Sequence, residues 1–152
     1  MSEADPELRR RLARRHHLIG WWALLVFLSL GIGLETLHGL KIGLYLDPPH
    51  RMRRLLWTLA HAHGTLLALT HIAFAAGLTQ FGRWSDKPLR LASFLLIDAL
   101  VLLPLGFFLG GAWHTEVDPW IGILLVPVGA VFLLAAVGLI AWAATRAESG
   151  PR

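Results

Sequence analysis

The chain has 152 residues, 55% of them hydrophobic and 16% charged, with a mean hydropathy of +0.57 and a formal net charge of +4. That apolar content is too high and too blocky for a water-soluble domain, and the length excludes a multidomain soluble enzyme. Five of the 14 basic residues lie in the first 15 positions, a clustering that marks topology in a membrane protein, so no nucleic-acid partner is read from the charge.

Taken in order, the polar segment Met1 to Arg14 is expected to be loosely ordered, as is Ala147 to Arg152. Between them lie four apolar blocks, about Leu18 to Leu37, Leu55 to Leu78, Leu91 to Ala112 and Trp120 to Ala144. Each reaches the roughly 20 residues that a membrane helix needs. Only helices or closed barrels satisfy the backbone in lipid, and long non-alternating runs are helices. The expected fold is therefore all-α, a four-helix transmembrane bundle forming one domain over 1–152. Pro104 and Pro127 are expected to interrupt spans three and four. All seven tryptophans lie near span ends, as an aromatic belt requires.

Counting Lys and Arg by side gives the orientation. Arg9, Arg10, Arg11, Arg14, Arg15, Arg83, Lys87, Arg90, Arg146 and Arg152 share one side. Lys41, Arg51, Arg53 and Arg54 share the other. Ten against four places both termini in the cytoplasm of a bacterial inner membrane, with the four basic residues of the first connection as the exception. The basic start followed by an apolar run is read as an uncleaved anchor.

The absence of cysteine excludes disulfides, thiolate metal sites, cysteine-ligated clusters and covalent c-type haem. Any cofactor must be held by imidazole and carboxylate. Ionisable side chains within spans are costly and mark functional sites by default. Here they are Glu35 and His38 at the end of span one, His61, His63 and His71 in span two, and Asp98 in span three. His114, Glu116 and Asp118 stand in the last outer connection. At about 1.5 Å per residue, His61 lies roughly 9 Å and His63 roughly 12 Å below the outer end of span two. An outer layer thus gathers Glu35, His38, His61, His63 and His114, while His71 and Asp98 share a deeper level and are expected to pair. His16, His17 and His50 read as interfacial and solvated.

At about 100° per residue, His61, Gly64, Ala68 and His71 form a stripe of small and imidazole side chains, which lets a helix or a flat cofactor approach closely. His63 points to the opposite side from His61. Three readings follow. One is a haem site, with imidazole as axial ligand and glycine making room for the porphyrin. Another is a non-haem copper, iron or zinc site, in which the Glu35-x-x-His38 pair is completed by His61, His63, His114 and Glu116. In the last, the polar groups only join helices.

The run Ala60-His61-Ala62-His63-Gly64-Thr65-Leu66-Leu67-Ala68-Leu69 resembles the histidine-bearing helices of haem–copper oxidase subunit I, and short bacterial membrane proteins related to it carry a similar Ala-His-Ala-His run. The resemblance covers span two. It implies histidines facing two different haems, one of them low-spin. This chain departs from that family in having four spans rather than twelve, and no His-Tyr or His-His pair within a span for copper. The resemblance therefore implies a homo-oligomer, or a subunit of a membrane complex, rather than oxygen reduction by one chain. The expectation is a b-type haem protein of electron transport, an oxidoreductase component. His61, His63, His71, His38 and Gly64 would hold the haem, with Glu35 and His114 tuning it or binding a second metal, and His63 would be the most important ligand.

Overall fold

The computed structural model describes residues 4–80, 84–115 and 117–148; Arg83, Glu116 and Arg152 lie outside the described residues. Every regular element among them is helical. Four long helices are apolar enough to cross a bilayer: α1 (Pro6–Gly39), α3 (Arg51–Gln80), α4 (Asp86–Ala112) and α5 (Leu125–Glu148). A short helix, α2 (Gly43–Leu46), and a 3₁₀ turn (Pro48–His50) fill the first connection, and a second 3₁₀ turn (Ile121–Leu124) leads into α5. The chain is thus an all-α, four-helix membrane bundle. Each long helix packs chiefly on its neighbour in the sequence, α1 on α3, α3 on α4, and α4 on α5.

Helix α1 starts well before the apolar run. Pro6 occupies the first turn, where its missing N–H costs nothing, and the Asp5 carboxylate caps the Glu7 amide at 2.9 Å. Leu8 and Leu12 are buried in the same core as Phe74, Leu78, Trp84 and Leu89, and the Ala4 amide donates to the Trp84 carbonyl at 2.7 Å. The segment expected to be loose is ordered from Ala4 onward, because leucines at i and i+4 lie between the arginines. Arg9 spans the gap to α3, donating to the Leu78 carbonyl at 2.8 Å.

Neither proline breaks a span. Helix α4 runs through buried Pro104, and Pro127 sits in the first turn of α5, where it removes no intrahelical hydrogen bond. At the far end of α1 the Ile42 amide reaches the Leu37 carbonyl and the Lys41 amide reaches that of His38, closing a Schellman motif. Lys41 takes the left-handed position, with φ 53°, where glycine is usual.

The α1–α3 interface explains the small-residue stripe of α3. Its four members meet four residues of α1 in antiparallel register. His71 meets His16, Ala68 lies against Gly20, Gly64 lies under the Phe27 ring, and His61 covers Gly31. A Cβ on Gly20 would stand 2.9 Å from the Ala68 carbonyl oxygen, so the backbones touch only because that side chain is absent. What approaches the stripe is a helix.

Candidate functional site

The end of the bundle where α1 finishes and α3 begins is here called distal. At the distal end, α1, α2 and α3 line an open cleft of about 770 Å³. Leu28, Ile32, Leu34 and Leu55 give it an apolar wall, and Glu35, His38, His61, Arg51, Arg54 and Thr58 supply its polar groups. The structure therefore gathers three of the residues singled out from the sequence and adds two arginines. Arg54 also donates to the Leu46 carbonyl at 3.4 Å, at the C-terminal end of α2.

His61 is held from behind. Its Nδ1 lies 2.7 Å from the Phe27 carbonyl oxygen. A carbonyl only accepts, so Nδ1 carries the proton and Nε2 keeps its lone pair. The ring edge packs on Gly31, in space that a Cβ there would occupy. Phe27, Gly31 and Glu35 follow one another by single turns of α1, and Glu35 and His61 line the same cleft. An imidazole whose back nitrogen donates to a fixed carbonyl is oriented as metal-ligating histidines are.

The remaining candidates lie elsewhere. His63 turns to the other side of α3, as its spacing predicts. Its Nδ1 is 2.9 Å from the Leu59 carbonyl, and its ring packs on Phe107 of α4 at 4.9 Å. His71 is fully buried with both nitrogens engaged, Nδ1 on His16 at 2.8 Å and Nε2 on the Leu96 carbonyl at 3.1 Å. It offers no free lone pair. His71 does not pair with Asp98, which has no hydrogen bond or ion pair among the described residues. The room beside Gly64 is filled by Phe27, so no porphyrin edge enters there in this structure.

His16 corrects a further expectation. It is not solvated but 0% exposed, bonded to His71 and, through Nε2, to Ser93 at 2.8 Å. His114 stands apart from the cleft, with its ring edge-on to His50 at 5.7 Å. The His50 Nδ1 and His114 Nε2 atoms are buried without hydrogen-bond partners among the described residues. Among those residues no three His, Asp or Glu side chains converge in metal-binding geometry. The four-ligand set of Glu35, His38, His61 and His114 is thus not assembled.

Arg53 was not singled out from the sequence except as a charge. It donates to the carbonyls of Leu44 at 3.0 Å, Gly111 at 3.2 Å and Ala112 at 3.3 Å, and its guanidinium sits 5.5 Å above the Trp57 ring. It closes the C-terminal ends of α2 and α4, where the helix dipoles are negative. One of the four basic residues that oppose the topology count therefore has a structural reason to be there.

No protein-family model, no curated protein and no solved structure matches this chain. Its site is read from its own residues.

Proposed function

We propose that this protein is an electron-transfer component of a bacterial inner membrane, with both termini cytoplasmic, that binds b-type haem in the distal cleft and works as an oligomer. The observation that carries this reading is His61, whose anchored Nδ1–H leaves Nε2 as a lone pair in a cleft with both an apolar wall and two guanidiniums. The residues present fit the group. His61 would hold the iron through its Nε2, with His38 available as a second ligand. Arg51 and Arg54 would meet the propionates, since guanidinium pairs with carboxylate bidentately. The cleft volume falls in the range of about 300–1,000 Å³ usual for ligand sites. Haem supplies one-electron chemistry at iron when bound. The chain itself orients the imidazole, lines the cleft with the apolar side chains of Leu28, Ile32 and Leu55, and places Glu35 in the same cleft as the ligand.

The test is the visible spectrum of the detergent-solubilised protein, expressed with added haem. Dithionite should give sharp bands and a pyridine haemochrome of the b type. His61→Ala should lose the bands, and His63→Ala should keep them. A colourless wild-type preparation with stoichiometric copper, iron or zinc would replace haem by a non-haem centre at the same cleft.

A further inference from the structure

Helix α4 is the most enclosed of the four spans, yet one stripe of it is open. Leu91, Phe94, Val101, Leu105 and Phe108 are 49%, 59%, 52%, 41% and 37% exposed. With Asp98 they form the series 91, 94, 98, 101, 105, 108, whose alternating steps of three and four are the a and d positions of a heptad. Such a 3.5-residue period is the signature of a helix that packs along a second helix. The apolar stripe alone would only face lipid. Asp98 is different. It lies 12 residues from the start of α4 and 14 from its end, so at about 1.5 Å per residue its carboxyl sits near the bilayer midplane. It is half-buried and has no hydrogen bond or ion pair among the described residues. A side chain of this type at a helix centre costs about 2.5–3.5 kcal/mol when it faces hydrocarbon, which requires a partner at the same depth.

We propose that this stripe is the interface between two copies of the chain, related by an axis along the membrane normal, with Asp98 at its centre. Copies inserted in the same sense bring equal depths together, so the group opposite Asp98 is the partner's Asp98. Two carboxyls are self-complementary: the O–H of one donates to the carbonyl oxygen of the other. A single polar residue at an a position fixes register and oligomer number in such seams. The midspan hydroxyl of Thr70 on α3 is already bonded to the Leu66 carbonyl at 2.9 Å. The interface deepens the oligomer part of the reading above and is independent of haem.

The lack of cysteine makes the test clean. Single-cysteine variants of the full chain are oxidised in native membranes with copper phenanthroline. Val101→Cys and Leu105→Cys should each yield a disulfide-linked dimer, whereas Leu25→Cys, on α1 and equally exposed at 55%, should not. Native mass spectrometry in mild detergent should show wild-type dimers. Asp98→Leu should weaken them roughly tenfold, the effect of losing an interhelical hydrogen bond of about 1–2 kcal/mol, and Asp98→Asn, which pairs with itself, should keep them. A wild-type monomer, or cross-linking at Leu25 but not Val101, overturns the interface. A dimer undiminished in Asp98→Leu overturns the role of the carboxyl. Haem is measured on the same samples: a haem-loaded monomer defeats this inference alone, and a haem-free dimer defeats only the haem site.

Discussion

His16 and His71 meet Nδ1 to Nδ1 at 2.8 Å, and with both rings neutral only one arrangement of protons satisfies the contact and its surroundings. The Leu96 carbonyl can only accept, so the Nε2 of His71 donates to it and its Nδ1 is left as an acceptor. The Nδ1 of His16 then donates, its Nε2 accepts, and the Ser93 hydroxyl donates to it at 2.8 Å. Both rings are neutral in this chain, which runs in one direction across α4, α1 and α3. A proton added to His71 would set N–H against N–H, and one added to His16 would force the Ser93 hydroxyl to turn and accept.

Removing one member strands the other in a dry interior. His16→Ala and His71→Ala are each expected to cost about 1–3 kcal/mol, the usual penalty for an unsatisfied buried group. The double variant should cost less than their sum, with a coupling of at least about 0.5 kcal/mol. Unfolding by SDS titration of the four proteins measures it. Cofactor content should not change in His71→Ala, in contrast to what the stripe suggested.

Gly64 and Gly77 separate packing from ligand binding. A side chain at Gly64 would collide with the Phe27 ring, whereas nothing lies within 4 Å of a Cβ at Gly77. Gly64→Leu should therefore lower stability by roughly 1–3 kcal/mol through overpacking, in protein prepared with or without added haem. Gly77→Leu should leave stability within about 0.5 kcal/mol of wild type. Equal melting temperatures for the two variants would contradict the α1–α3 register.

Arg53 supplies three hydrogen bonds to helix-end carbonyls, and lysine cannot reproduce that fork. Both Arg53→Lys and Arg53→Ala should destabilise, the second by about 2 kcal/mol. Proteolysis in the 113–120 connection should be faster in both. Unchanged cleavage would mean that the carbonyls of Gly111 and Ala112 are held by other means.

Lys41 pays the steric cost of a left-handed backbone without glycine's freedom. Lys41→Gly should raise stability by about 1 kcal/mol, the order of that penalty, while leaving the spectrum of the proposed haem unchanged. A loss of stability would show that the lysine side chain contributes more than its backbone costs.

The spans were legible because lipid permits so few alternatives: an apolar run of that length has to be a helix, wherever its neighbours sit. The opposed directions of His61 and His63 follow from helical rotation alone and appear as expected. The inner partners were not legible. Leu8 and Leu12 carried the right spacing, but the arginines around them dominated the reading, and His16 took its character from that neighbourhood. The small-residue stripe announced a close approach without saying by what, since a glycine on α1 and a porphyrin ask the same of α3. Arg53 entered only as a unit of charge, because its three carbonyl partners come from helix ends 9 to 59 residues away.

Among the described residues, those that line the distal cleft all fall between Leu28 and His61. Contacts between long helices chiefly follow chain order as well. During synthesis, α3 meets a finished α1, and the whole lining of the cleft exists once α3 has inserted, before α4 has left the ribosome. The cleft is a product of the first hairpin, and the proposed haem, arriving early, would find it complete while the proposed seam on α4 had yet to be made.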